Sequence, residues 1–412
     1  MQKKLIALAV AGLAAAPAFA QTNVTIYGVA DATFDNVRAT SASSTAAGVN
    51  GNLGSTNRVS SNSSYLGFKG SEDLGNGLKA VFQFENTVAF DAAGGVNTNR
   101  DSFVGLAGGF GTVVAGNLTG PTRALGAALD VNSGATGIGA NSALIGKLGN
   151  LLTNGTDGNS NYTATGTPNA NGPANGCNRS TTCASLFDTR WKNAVAYVSP
   201  SFAGVTVTAA YVANEGRSFD YTASANQVNT QGYDLGVNYN NGPILAGLTY
   251  NAVTLRDINE TRVSNVRLGG SYNFGIASVR ALVERASLET TGAGVLNAGS
   301  GSIHQTVWGL GATFNVTTNG KIITQFYRAQ NLSGEHPLVA GNAAETGAKL
   351  FELGYEHSLS KRTTLKAVYS YLGNDKRAAY DYGVNATGLS TAPNGGQGAT
   401  LNGVQVGVRH SF

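Results

Sequence analysis

From residue 24 to the last residue, the chain is a succession of runs of about ten residues in which apolar and polar side chains alternate. In residues 78–90, Ala80, Phe82 and Phe84 fall on one side while Lys79, Gln83 and Glu85 fall on the other. Tyr233, Leu235, Val237 and Tyr239 alternate with Asp234, Gly236 and Asn238, and Leu365, Ala367, Tyr369 and Tyr371 alternate with Thr364, Lys366 and Ser370. A helix brings residues three and four apart together, so only an extended strand sorts such runs into one apolar and one wet face. The runs cover 24–35, 60–70, 78–90, 100–107, 112–118, 192–198, 205–213, 233–240, 244–255, 264–273, 277–287, 305–316, 321–329, 349–359, 363–372 and 403–412, sixteen in all. Beyond the first twenty residues no apolar stretch approaches the roughly 20 residues of a spanning helix, so a membrane protein of this sequence crosses with strands that close on themselves. The expected fold is all-β: a 16-stranded antiparallel transmembrane β-barrel, an even strand number at which the lumen stays open to water.

The connections carry independent information because short ones alternate with long ones. Asp73-Leu74-Gly75-Asn76-Gly77, Asn241-Gly242-Pro243 and Thr318-Asn319-Gly320 have turn chemistry, whereas 36–59, 214–232 and 373–402 are long and polar. Short turns on one side of a membrane and longer loops on the other are the expected asymmetry of such a barrel. Composition agrees: 56 glycines, 16 tyrosines and 16 phenylalanines accompany 8 prolines and only 12% charged residues, about half the usual share. No charged or Pro-rich linker divides the chain, so residues 21–412 read as one domain.

At the N-terminus Met1-Gln2-Lys3-Lys4 is basic, Leu5 to Ala16 is apolar, and Ala18-Phe19-Ala20 offers a small-residue cleavage site. Residues 1–20 are therefore expected to be a secretory signal peptide, too short in its apolar part to anchor the chain. Without Lys3 and Lys4 the 27 basic residues become 25, against 23 acidic ones. That near balance leaves no clustered basic footprint for nucleic acid.

Five ordered motifs carry a family resemblance. Val24-Thr25-Ile26-Tyr27-Gly28-Val29-Ala30-Asp31, Tyr65-Leu66-Gly67-Phe68-Lys69-Gly70-Ser71-Glu72-Asp73-Leu74-Gly75, Asn99-Arg100-Asp101-Ser102-Phe103-Val104-Gly105-Leu106, Ser199-Pro200-Ser201-Phe202-Ala203-Gly204 and Val406-Gly407-Val408-Arg409-His410-Ser411-Phe412 resemble landmarks of the general porins of betaproteobacteria. The resemblance spans the mature chain outside the long loops. It implies a homotrimeric, sixteen-stranded outer-membrane channel of a Gram-negative bacterium, set in outer-membrane lipid and lipopolysaccharide, for passive diffusion of small hydrophilic solutes and ions. It further implies that Phe412, ending a strand whose Val404, Val406, Val408 and His410 share its face, is read as an insertion signal by the barrel-assembly machinery. Small residues such as Gly28, Ala30, Gly105 and Ala107 are expected in the subunit contact.

The third external loop, residues 119–191, is far longer than loops in compact domains. Gly120-Pro121-Thr122-Arg123-Ala124-Leu125 and Ala128-Leu129-Asp130 resemble the family's inward-folding loop, while 150–175 is Gly-, Asn- and Thr-rich and reads as a surface insertion. Cys177 and Cys183 lie in this loop, beyond a signal peptide and hence in an oxidising compartment, where a disulfide closing a small loop is expected. The resemblance also implies an eyelet of wall cations facing loop acids. Alternation puts Arg100 on the face of Ser102; Arg58 and Arg123 are further cations and Asp130 is the loop acid. Tyr65 and Asn117 stand where the family often has Arg, so the charge preference is expected to be weakly for anions.

Two other functions compete with this one: an enzyme built on an outer-membrane barrel, and a secreted β-rich adhesin. His304, His336, His357 and His410 fall in no metal or nucleophile motif, the glycines form no phosphate loop, and two thiols alone make a poor metal site. Neither a catalytic centre nor a cofactor or metal is expected, and the histidines read as surface or interfacial structural residues. Sixteen runs with a lipid-type face argue against the adhesin.

Overall fold

The computed structural model describes residues 23–40, 52–91, 96–148, 187–213, 229–256, 260–291, 299–337, 339–340, 343–387 and 397–412. Residues 1–20, the stretch 150–175, Cys177 and Cys183 lie outside them. The strands are β1 (Asn23–Thr40), β2 in two pieces (Leu53–Ser61 and Tyr65–Gly75), β3 (Leu78–Val88), β4 in two pieces (Val96–Asn97 and Ser102–Gly108), β5 (Gly111–Thr119), β6 (Arg190–Val198), β7 (Val205–Val212) and β8 (Asn229–Asn241). The second half adds β9 (Ile244–Arg256), β10 (Glu260–Asn273), β11 (Ala277–Thr290), β12 (Gly301–Asn315), β13 in two pieces (Gly320–Ala329 and Ser333–Gly334), β14 (Ala348–Ser358), β15 (Thr363–Asn374) and β16 (Thr400–Ser411). Each pairs antiparallel with its sequence neighbours, making a closed sixteen-stranded barrel. Closure is made by β1 and β16, in register from Val29 opposite Ser411 to Thr40 opposite Thr400. The backbones of Gly28 and Phe412 exchange two further hydrogen bonds of 3.1 Å, so the last residue itself seals the seam.

Alternation sorts the wall as the sequence suggests. Val104, Leu106, Leu235, Val237, Leu248, Val266, Leu268, Val404 and Val406 stand exposed on the outer face, as lipid-facing residues must. Asp31, Asp35, Glu85, Asp234, Arg267, Glu284, Gln325 and Glu352 are buried on the inner one.

The turns between β2 and β3 and between β8 and β9 are tight, the first with Gly75, Asn76 and Gly77 at φ of 87°, 52° and 77°. Glycine and asparagine tolerate this left-handed geometry, and the Asp73 carboxylate accepts the Gly75 N–H at 2.8 Å to fix it.

Most strands reach further toward the long-loop end than periodicity suggests: β1 runs to Thr40 and β16 starts at Thr400. The reason is a change of phase. Along β1, Phe34 faces outward while Asp35 is buried, but beyond it Asn36 and Arg38 face outward and Val37 and Ala39 are buried inward. In β16, Leu401 is buried inward while the outward Asn402 accepts from Tyr369. Past the lipid belt the outer face meets water and the inner face packs on chain filling the lumen, so polarity inverts and a single-phase pattern ends early.

Two expectations about faces are corrected. Gly105 and Ala107 do not face a neighbouring subunit: they alternate with the outward Val104 and Leu106, and Ala107 borders the lumen. Arg100 does not share the face of Ser102. Ser102 is in register with Phe84, 48% exposed on the outer face, whereas Arg100 lies in the break of β4, where the chain leaves the ladder and the side chain turns inward. Of the histidines, His410 and His357 are hydrogen-bonded on the surface to Thr363 (2.9 Å) and Tyr355 (3.1 Å), and His304 to Ser287 (2.9 Å). His336 is instead buried, against Gly299 O at 3.1 Å.

Candidate pore constriction

After β5 the chain turns at Gly120 into a short helix, α1 (Pro121–Ala128). Proline opens this helix because its missing N–H would be unpaired in the first turn anyway. Its inner side is apolar, and Leu125, Leu129, Val131, Ile138, Leu144 and Ile145 are all buried between the segment 120–148 and the wall. The wall receives them at glycines. A Cβ on Gly247 would come within 2.7 Å of Leu125, one on Gly311 within 2.7 Å of Val131, and one on Gly403 within 2.7 Å of Ile138. These inward glycines, which in the sequence read only as small residues in a crowded wall, are the seats for specific loop side chains.

Hydrogen bonds fix the same segment to inward-facing groups around the barrel. Thr122 donates its N–H (3.3 Å) and hydroxyl (2.7 Å) to Asp234 on β8, whose other oxygen takes the Trp191 indole N–H at 2.8 Å. Gly146 N donates to Glu284 on β11 at 2.5 Å, Ser133 binds Glu356 on β14 through its N–H (3.0 Å) and hydroxyl (2.6 Å), and Ser370 on β15 donates to Ile138 O at 3.1 Å. Arg267, fully buried on β10, donates to Thr122 O and Asp188 at 2.7 Å each and pairs with Glu284 at 2.7 Å. Breaking a buried network of this kind costs about 3–5 kcal/mol per removed partner.

Asp130 is the hub of the segment. One carboxylate oxygen accepts from Asn132 N (2.8 Å), Asn132 Nδ2 (2.9 Å) and Gln325 Nε2 (3.4 Å); the other accepts from Asn141 N (2.6 Å). Asn132 Nδ2 and Gln325 Nε2 also donate to Glu352, at 2.9 and 2.7 Å, so two amides are shared between two buried carboxyls. The second Glu352 oxygen has no partner among the described residues. Burial pushes the Asp130 carboxyl above its ordinary value of 3.8, against the pull of its donors.

Three basic side chains from three elements converge, Arg100 in the break of β4, Arg123 on α1 and Arg190 on β6, while Arg280 on β11 lies beside Asp130. Arg100 lies over the Tyr65 ring, 4.4 Å from its centroid, and pairs with Glu85 at 3.1 Å. Glu85 also takes the Tyr27 hydroxyl at 2.9 Å. Arg190 at the start of β6 pairs with Asp101 at 3.4 Å and lies close enough to Arg123 and Arg100 for both to act on it electrostatically. Arg123 on α1 donates to the backbone carbonyl of Asp188, and Arg280 on β11 to that of Asp130. Asn117 donates to Arg100 O at 2.8 Å. Arg58 sits apart, paired with Asp35 at 3.2 Å and donating to Ala386 O at 2.8 Å and to Asn385 O.

Of the residues singled out by sequence, Tyr65, Arg100, Asn117 and Arg123 therefore gather on one side, Asp130 is buried beneath the segment it organises, and Arg58 braces a different loop. Sequence reasoning did not mark Arg190, Arg267 and Arg280. Arg190 and Asp188 directly precede the strand pattern resuming at Lys192, a position that could have marked them; nothing local distinguishes Arg267 or Arg280 from other wall charges.

Comparison with known proteins agrees with this architecture. The family model described as Gram-negative porin matches residues 7–377. Outer membrane porin protein 32 of Delftia acidovorans is 31% identical over 420 residues, covering 100% of both chains. Major outer membrane protein P.IB of Neisseria gonorrhoeae is 42% identical over 130 residues, 31% of this chain and 35% of that one. Among solved structures, the anion-selective porin from Comamonas acidovorans superposes with a TM-score of 0.68 at 26% identity, covering 95% of this chain and 100% of its own. The trimer form of OmpT from Vibrio cholerae shares the fold, with a TM-score of 0.61 at 15% identity over 95% of this chain and 99% of its own. A closed sixteen-stranded wall with an apolar outer face and a charged inner one, matched along its length by such relatives, establishes that the chain belongs to the Gram-negative porin family and is an outer-membrane channel rather than an enzyme.

Proposed function

We propose that the channel is weakly anion-selective, that its narrowest part lies between segment 120–148 and the wall bearing Tyr65, Arg100 and Asn117, and that it works as a homotrimer. The observation that carries the charge preference is an imbalance at the lumen. Arg100 and Arg190 are each matched by a carboxylate, Glu85 and Asp101. Arg123 and Arg280 are held by backbone carbonyls, and neither is in an ion pair with a described residue. Their guanidinium groups thus carry charge into the lumen with no carboxylate bonded to them. Basic linings favour anions, and with Tyr65 and Asn117 uncharged the excess is small. The anion-selective character of the Comamonas acidovorans porin supports the sign.

Arg100 stays in this reading as the wall cation that orients solutes, in spite of its pairing with Glu85. Asp130 acts as the organiser of the loop, and Arg58 lies at the external mouth. Phe412 serves as the insertion signal as well as the seam. Support for the trimer comes from the trimer form of the OmpT neighbour. The test of selectivity is the reversal potential of Arg100→Ser, Arg123→Ser and Arg280→Ser. The last two should each move it toward cations, Arg100→Ser less, and no movement in any of them contradicts the assignment.

A further inference from the structure

Between the constriction and the short-turn end, the inner face of β1 to β7 borders a cavity of about 670 Å³ that opens to the lumen, within the range of small-molecule sites. Part of its lining is an apolar patch, Val81, Phe103, Val114 and Leu118, which serves as a floor beside polar groups such as Thr25, Gln83 and Thr208. A water-filled lumen is ordinarily lined by polar groups, and conduction of inorganic ions needs no such floor. Two charged side chains line the cavity, Lys69 and Asp101. Asp101 is already satisfied by Arg190 at 3.4 Å and by Thr119 N and Oγ1 at 2.6 and 3.0 Å. Lys69 is exposed, its ammonium 4.8 Å from the centroid of the Tyr27 ring, and in no ion pair with a described residue.

One unmatched cation beside an apolar floor is complementary to one class of solute, and we propose that this cavity is a subsite for small organic monoanions with an apolar, ring-sized body. The carboxylate meets Lys69 and the body lies on Phe103, Val114 and Leu118. A neutral apolar solute would leave Lys69 unused, and an inorganic anion would leave the floor unused. The inference rests on the channel reading and adds a solute class to it.

The test is a pair of bi-ionic reversal potentials across planar bilayers holding the intact protein, sodium benzoate against sodium chloride and sodium acetate against sodium chloride, after conductance in potassium chloride has been recorded. Bulk and lower mobility alone would put benzoate below acetate. The subsite requires a benzoate-to-acetate permeability ratio above one, falling below one in Phe103→Ser and in Lys69→Gln. The ratio is internal to each variant, so a change in overall conductance cancels, and Val81→Thr serves as a second floor variant should Phe103→Ser fail to fold. A ratio at or below one in the unsubstituted protein, or one that no substitution changes, overturns the subsite while leaving the channel reading intact. No conductance in potassium chloride overturns both.

Discussion

Asp130 illustrates how burial, more than identity, decides what a charged residue does in this lumen. Read from sequence it is the acid of an eyelet; in the structure it is a buried acceptor for two backbone N–H groups and two amides. Because its carboxyl is raised in the folded state, its contribution is fully present below the ordinary value of 3.8 and is lost as pH rises through the higher folded value. Asp130 itself should therefore add most to the hold on segment 120–148 in acid. Asp130→Asn, which keeps an acceptor and cannot ionise, should flatten the pH dependence of thermal unfolding from about pH 4 upward, as followed by circular dichroism. Arg267 makes the opposite case, a charge whose removal strands Asp188 and Glu284. Arg267→Met should lower stability by about 3–5 kcal/mol in urea titrations, with conductance altered because Thr122 O and Asp188 lose their shared donor. The sequence made Arg100, Arg123, Tyr65 and Asn117 legible as candidates through motif position. It concealed Arg267 and Arg280, since a buried cation and a lumen cation occupy the same parity on a strand.

Among the elements, the strands were the most legible part, since a period of two is printed in residues such as Tyr233 to Tyr239 without reference to anything distant. Their long-loop ends were not, because Val37, Ala39 and Leu401 turn inward into a core that they share with the distant Leu129 and Ile138. The break in β4 escaped for a related reason: nothing in Thr98-Asn99-Arg100-Asp101 marks where the ladder is left. The seating of loop side chains on wall glycines makes a sharp prediction. Gly311→Ala places a methyl 2.7 Å from Val131 and, as an overpacked contact, should cost about 1–3 kcal/mol and shift single-channel conductance by displacing the segment. On the outer face, Val406→Arg puts a charge in lipid at β16 and should destabilise the folded barrel by about 2–4 kcal/mol near the bilayer midplane. Equilibrium folding into bilayer vesicles would measure it.

Taken as a whole, the molecule joins an apolar exterior, a charged interior and a closed seam that ends on Phe412, so lipid outside and water inside are built into one sheet. A trimer should run in mild detergent at about three times the mass of the chain, itself at most 42.0 kDa; the mass of one subunit would speak against it. The most direct measurement is the current through the purified protein in a planar bilayer under a potassium chloride gradient. Discrete conductance steps should appear, with a reversal potential displaced modestly toward the chloride equilibrium potential. A folded protein that inserts and carries no current would contradict the channel, and a potential displaced toward potassium would contradict the charge assignment at Arg123 and Arg280.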